Sequence, residues 1–342
     1  MRVSILIPCH NEEKSIKSCI EACLNQTRPA DEIIVVDDGS KDGSATILEQ
    51  FGSQIKVVKI VEPTGNKSYV QQRGLDFVTG DVFIATDGDT ILDKNFVHRM
   101  CEDFKDEKVA AVAGYVKSLR HNWLTACREI DYAIGQDLHK TAQSYINFLF
   151  VIPGCAGAFR TNIFKKHISF DHDTLTEDLD FTYKLNEQYF AIKYDKKAIV
   201  YTQDPANLKS YIKQLRRWYG GGWQNLQKHF KIARDPIRAL ELSLMYVEGV
   251  IFSAMLLILP LVNINFLKFT VLPTLAVNFG IGLYAALSRK RIDLILGAPL
   301  YVLLVYVNAY VFTEQFVSEV LLKRRSMAWF HPERRAIAWS LQ

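Results

Sequence analysis

Apolar residues fall into short runs over the first third of the chain and into long ones over the last third. Val3–Ile7 is apolar except for Ser4, the length of a buried strand. Asn11 then stands where a helix N-cap belongs, ahead of Ile16, Ile20 and Leu24, which repeat on one helical face. Glu32–Val36 predicts a second strand and stops at Asp37-Asp38-Gly39-Ser40. A helix is expected from about Ser44, a strand over Ile55–Ile60, a helix over Asn66–Asp76 and a strand over Val82–Ala85, which ends in Thr86-Asp87-Gly88-Asp89. Such alternation predicts an α/β, Rossmann-like domain with a mostly parallel sheet and helices on both faces. Ligands of such sheets gather at the carboxyl ends of the strands, where both acidic motifs fall.

The pattern loosens from residue 116 to about 235. Trp123–Phe150 reads as helical, and Gly154–Arg160, small and apolar, suits a close-packed turn or strand beside a ligand. Thr176-Glu177-Asp178 precedes a helical face of Leu179, Phe181, Leu185 and Phe190. Ser210–Phe230 is amphipathic, with Tyr211, Leu215, Trp218 and Leu226 on one broad side and basic residues elsewhere, a pattern that suits a helix lying in a membrane interface.

Beyond about Leu242 the chain changes character. Leu244–Val262 carries one charge, Glu248, Phe266–Leu287 carries one, Lys268, and Leu294–Phe312 carries none. Each is long enough to cross a bilayer core, which takes about 20 apolar residues. The expected organisation is a catalytic domain over residues 1–235, with a nucleotide-binding half to 115 and an acceptor half to 235. A membrane region with about three spans and a basic tail follows over residues 236–342. With the catalytic domain in the cytosol, three spans put Lys323–Arg335 on the far side, against the positive-inside tendency. A broken or doubled segment around Gly297-Ala298-Pro299, or a stretch that does not cross, restores a cytosolic C-terminus.

Charge and cysteine content add little but exclude something. The 342 residues carry a formal charge of only +4. The basic clusters, Lys209–Arg238, Arg289-Lys290-Arg291 and Lys323-Arg324-Arg325, border apolar stretches, which favours a membrane edge over nucleic acid. The six cysteines form no CxxC pair and no zinc spacing, as for reduced thiols in a cytosolic domain. The N-terminal apolar run is too short for a signal peptide, so the catalytic domain is expected to begin at once and to stay cytosolic.

Four motifs carry chemistry. Asp87 and Asp89 flank a residue without a side chain at a strand end, a donor set for Mg2+ or Mn2+ completed by diphosphate oxygens. Glu177 and Asp178 lie at a helix start, where backbone N–H groups favour negative charge. In Gln214-Leu215-Arg216-Arg217-Trp218, Arg217 suits a diphosphate and Trp218 a sugar face, and Gln214 shares a face with Trp218 at i,i+4. Asp38, in Asp37-Asp38-Gly39-Ser40, is the fourth.

The order and content of these motifs resemble the processive, membrane-bound members of glycosyltransferase family 2, the group of cellulose, chitin, hyaluronan and poly-N-acetylglucosamine synthases. The resemblance covers about residues 1–235 and implies a GT-A-like catalytic domain followed by interfacial and transmembrane helices. It places Pro8, Asn11 and Glu12 against the nucleotide, assigns Asp38 to the uracil and ribose, and puts Lys67 near the donor, although an ordinary surface lysine competes with that reading. It makes Asp178, with Glu177 beside it, the base that takes the acceptor proton. It sets Gly154 and Cys155 at the acceptor, and reads Gln214–Trp218 as the mark of synthases that hold a growing saccharide. The implied reaction is inverting, metal-dependent transfer from a UDP-sugar, first UDP-N-acetylglucosamine, to a β-linked polysaccharide at the plasma membrane, with the catalytic domain cytoplasmic. The expected partners are the UDP-sugar, a saccharide or lipid-linked saccharide, membrane lipids and a second copy or partner subunit, with no nucleic acid. Addition of a single sugar to a lipid carrier, and a catalytically silent sugar-nucleotide sensor, are the alternatives.

Overall fold

The apolar runs fold as strands. In the computed structural model, which describes residues 1–325 together with Met327, Arg335 and Ala336, Val3–Cys9 (β1), Glu32–Asp38 (β2), Lys56–Ile60 (β3) and Val82–Ala85 (β4) are parallel neighbours. Ser4 pairs with both Glu32 and Phe83, so the chain ends of β1, β2 and β4 come out side by side. Strands covered on both faces need no alternation of apolar and polar residues, and β1 and β4 show none. Ile16–Leu24 (α1), Ser44–Glu49 (α2) and Lys67–Leu75 (α3) connect them.

The sheet has eight strands, with Ile91–Leu92 (β5), Val109–Ser118 (β6), Gly157–Arg160 (β7) and Ala191–Thr202 (β8) in the order β3-β2-β1-β4-β7-β6-β8-β5. β7 runs antiparallel to both β4 and β6, and β5 antiparallel to β8. Because β7 opposes both of its neighbours, β6 runs the same way as β4, and so does one strand of the β5–β8 pair; the expectation of a mostly parallel sheet holds, with unbroken parallel pairing along β3-β2-β1-β4. It rested on β-α-β alternation, which stops at β4. Phe96–Asp103 (α4) lies between β5 and β6.

Two helix expectations are corrected. Asn11 is not an N-cap: its backbone is left-handed, φ 55°, and α1 starts only at Ile16 after Ser15. Trp123–Phe150 is not one helix: Trp123–Tyr132 (α5) passes into a π-helical stretch, Ala133–Lys140, and then a short helix, Thr141–Tyr145 (α6).

The chain forms two compact units, one of Met1–Lys117 with Lys140–Gln203, the other of Ser118–His139 with Asp204–Pro332. The first is held by an aromatic cluster. Phe159 of β7 lies 5.2 Å from Phe83 of β4 and 5.0 Å from both Phe164 and Phe181, centroid to centroid. Phe164 belongs to Thr161–His167 (α7) and Phe181 to Glu177–Glu187 (α8). These rings fix α8, which carries Glu177 and Asp178, against β4, whose following turn carries Asp87.

In the second unit, Leu208–Lys228 (α9) joins three long helices, Pro236–Val262 (α10), Phe266–Arg289 (α11) and Asp293–Gln315 (α12). Each of the three, α12 with its π-helical extension to Leu321, is long and apolar enough to cross a membrane, and each exposes many large apolar side chains. The break considered at Gly297-Ala298-Pro299 is absent, since α12 runs through Pro299. Most of the basic tail beyond Arg325 lies outside the described residues.

Phe159→Ala removes the ring at the centre of the cluster. It is expected to cost about 3–5 kcal/mol, measured by thermal or denaturant unfolding in detergent.

Candidate active site

Three loops meet at the carboxyl ends of β1, β2 and β4. Asn11 donates its backbone N–H to Ser40 Oγ at 3.0 Å, and its side-chain oxygen accepts from the N–H of Lys41 at 2.8 Å, which ties the first turn to the second. The left-handed backbone at Asn11 makes both bonds possible from one residue. Glu12 is buried and accepts from Ser15 Oγ at 2.6 Å, while its N–H reaches Ser44 Oγ at 2.8 Å. The turn after β4 lies against this loop: a Cβ on Gly88 would stand 3.3 Å from Glu12 Cγ and 3.5 Å from the carbonyl oxygen of Pro8. Pro8, Asn11, Glu12, Asp38, Asp87 and Asp89 are thus brought together.

Asp38 is 3 % exposed, and its carboxylate faces the loop after β3. It accepts from the N–H of Thr64 at 2.8 Å, Thr64 Oγ1 at 3.0 Å and the N–H of Gly65 at 3.2 Å. That loop carries Lys67, the first residue of α3, behind an Asn66 cap that accepts from the N–H of Tyr69.

Lys67 is no surface residue. Its ammonium lies 2.6 Å from Asp87 Oδ1 and 2.8 Å from Glu177 Oε1, with 12 % of the side chain exposed. Burial alone would pull its pKa down, but the two carboxylates reverse that and the net shift is upward. Gly154 completes the constellation. Its N–H points to Asp178 Oδ2 at 3.4 Å, and a Cβ there would stand 3.3 Å from Lys67 Nζ and 3.4 Å from Glu177 Oε1. Asp178 Oδ1 accepts from the N–H of Leu179 at 2.9 Å at the start of α8. Cys155 keeps its proton, because burial and then the charges of Asp87 and Asp89 push its thiol pKa up.

The donor set at the end of β4 fits a hard divalent cation. Asp89 is buried, whereas the Asp87 carboxylate is partly accessible. Two carboxylates leave most of an octahedral shell to phosphate oxygens and water, the usual arrangement for Mg2+ with a diphosphate. A tighter acidic group, Asp171, Asp173 and Asp180, lies elsewhere and already holds Lys184, at 2.8 Å from both Asp171 and Asp180.

Gln214, Arg217 and Trp218 lie on α9, in the second unit. Gln214 Oε1 and Arg217 Nε are buried without hydrogen-bond partners among the described residues. Trp218 has the guanidinium of Arg128 at 4.9 Å from its ring centroid. Arg128 is itself buried and paired with Asp131 at 2.5 Å and Asp204 at 3.5 Å.

Residues 4–167 match the family model described as glycosyl transferase family 2. The chain carries a glycosyltransferase family 2 domain. A poly-β-1,6-N-acetyl-D-glucosamine synthase of Staphylococcus epidermidis is 28% identical over 232 residues, 67% of this chain and 56% of that protein. A probable glycosyltransferase of Bacillus subtilis, YdaM, is 30% identical over 250 residues, 69% of this chain and 60% of that protein. The chain thus matches little more than half the length of these curated relatives. Among solved structures, the mannosyltransferase PcManGT of Pyrobaculum calidifontis, in complex with GDP-Man and Mn2+, superposes with a TM-score of 0.60 at 18% identity, covering 88% of this chain and 87% of its own. Residues 1–349 of TarS from S. aureus, in complex with UDP-GlcNAc, give 0.54 at 18% identity, with 93% and 92% covered. The family 2 domain here thus has the GT-A-like α/β fold of those enzymes.

Sequence reasoning missed Lys140. It is 8 % exposed, its ammonium lies 5.9 Å from the centroid of the Tyr194 ring, and it makes no ion pair among the described residues. Burial pulls its pKa from 10.5 down to about 8, opposed by Cys155 and Asp178. No motif marks it, and only the fold buries it.

A folded-state pKa below the unfolded one means that the unfolded chain binds more protons between about pH 8 and 10.5. Stability therefore rises with pH across that window, and the full cost of the buried charge applies below it. Lys140→Met is expected to stabilise the fold by roughly 3 kcal/mol at pH 7. That gain should shrink above pH 8 and vanish near 10.5, as read from unfolding temperatures of both proteins across pH.

Proposed function

We propose that this chain transfers a sugar from a UDP-sugar, UDP-N-acetylglucosamine first, to a saccharide hydroxyl with inversion, and repeats the step to build a β-linked polysaccharide at the plasma membrane. The observation that carries this reading is the joining of Asp87, Lys67, Glu177, Gly154 and Asp178 by direct contacts at the strand ends of a family 2 domain. The poly-N-acetylglucosamine synthase relatives and the UDP-GlcNAc-bound neighbour support the choice of sugar. The three apolar helices support the membrane setting, and in this reading the family 2 domain lies on the cytosolic side.

In this mechanism Asp178 takes the acceptor proton at Oδ2, while the N–H of Leu179 holds Oδ1 and with it the plane of the carboxylate. The N-terminal end of α8 favours that carboxylate as an anion before the proton moves. The deprotonated hydroxyl attacks the anomeric carbon from the face opposite the leaving UDP, so an α-linked donor gives a β-linked product. Asp87 and Asp89 would hold Mg2+ or Mn2+, which when bound neutralises charge on the departing diphosphate. Gly154 and Cys155 border the acceptor, and the absence of a side chain at Gly154 keeps that border open. Pro8, Asn11, Glu12 and Asp38 line the nucleoside end. Gln214, Arg217 and Trp218 keep the diphosphate and saccharide roles that the family resemblance gives them. A product that crosses the bilayer calls for a second copy or a partner subunit.

The test is UDP release by detergent-purified protein with UDP-N-acetylglucosamine, UDP-glucose or UDP-glucuronate and Mg2+ or Mn2+, with products sized on a gel. Release with one donor and a product ladder, both reduced about 10²–10⁴-fold by Asp178→Asn, is the expected result. A single-sugar product would move the assignment to transfer onto a lipid carrier. UDP binding without release from any donor would sink the enzyme reading in favour of a sensor.

A further inference from the structure

Lys67 occupies a position that chemistry claims twice. Its ammonium sits 2.6 Å from Asp87, the accessible carboxylate of the cation pair, and 2.8 Å from Glu177, which is 5 % exposed. A dication bound to Asp87 would stand within a few ångströms of that ammonium, and like charges at that range repel strongly at low dielectric. A nucleoside diphosphate brings the anionic oxygens that would draw the ammonium away. Lysine suits such a move, being a compact charge on a flexible stem that binds phosphate as a point charge. The surroundings allow it. Gly65, two residues earlier, has φ +62° and nothing within 4 Å of where a Cβ would stand, so the turn leading into Lys67 is uncrowded.

We propose that Lys67 is an exchangeable counter-ion that makes divalent-cation binding at Asp87 depend on a nucleoside diphosphate, with Glu177 as its resting partner. The inference rests on the reading of Asp87 as a cation ligand. Glu177 then acts as a positioning residue, where the sequence had paired it with Asp178 as a base. It holds the charge that keeps the cation site closed, and it receives the field of the dication once Lys67 has moved to the diphosphate. Cation and nucleotide load together, and a free cation gains little by itself.

Mn2+ binding by the full-length protein in detergent, followed by electron paramagnetic resonance with and without UDP, tests this. Lys67→Gln is expected to bind Mn2+ alone at least about tenfold more tightly than the native protein, and UDP should then tighten it by a factor at least about tenfold smaller. Glu177→Gln shifts the ammonium wholly onto Asp87, so Mn2+ alone should bind more weakly and UDP should help more. It gives the answer in the opposite direction should Lys67→Gln lose its circular-dichroism spectrum. If Lys67→Gln binds Mn2+ alone no more tightly than the native protein and shows the same UDP enhancement, Lys67 is a fixed tether and the proposal fails. If the native protein binds no Mn2+ even with UDP, the failure lies instead with Asp87 as a cation ligand.

Discussion

The site depends on one buried ammonium shared by two carboxylates. Glu177 on α8 and Asp87 after β4 come from segments 90 residues apart, and Lys67 bridges both. Without a cation there, two like charges would face each other in a place with little water. Breaking a buried pair by removing one partner is far costlier than forming it is favourable. The bridge therefore constrains register as much as it adds stability. α3, the β4 turn and the start of α8 must arrive together, and the phenylalanine cluster behind β4, β7 and α8 supplies the rigid backing.

Glycines set the tolerances around it. Gly88 lets the turn after β4 lie against the loop of Pro8 and Glu12, and Gly154 lets the chain before β7 pass beside Lys67 and Glu177. Neither position has a positive φ, so what each requires is space rather than an unusual backbone conformation. Asp87, Asp89, Glu177 and Asp178 are thereby held within one unit. Of the apolar helices, α11 and α12 form their own cluster with α5 and α9.

Much of this was legible in the sequence. β1, β2 and β4 are covered on both faces, so their apolar runs, broken only by Ser4 in β1, are hard to mistake, and the acidic motifs at their ends follow directly. β8 was missed because its buried positions, Ile192, Ala198 and Val200, are interleaved with Lys193, Asp195, Lys196 and Lys197. The π-helical stretch over Ala133–Lys140 keeps a helical composition and leaves no local mark. Asn11 has the right residue type for a cap, but its side chain serves the neighbouring loop instead. Lys67 was singled out by its motif while its partners stayed hidden, because an ion pair between distant segments has no periodicity to read. Lys140 is the limiting case, a lysine like any other until the fold closes over it.

Asp38 touches none of the reacting groups, yet three of its hydrogen bonds secure Thr64 and Gly65, the residues from which Lys67 is hung. In the function proposed above, nucleoside recognition and control of the cation site thus share a mechanical mounting. A small molecule that claimed the Asp38 carboxylate would do more than occupy the base pocket. It would unfasten the loop and disarm the enzyme at the diphosphate end without reaching it. Inhibitors built for that one buried carboxylate could therefore be short, and need not imitate the charged half of the donor.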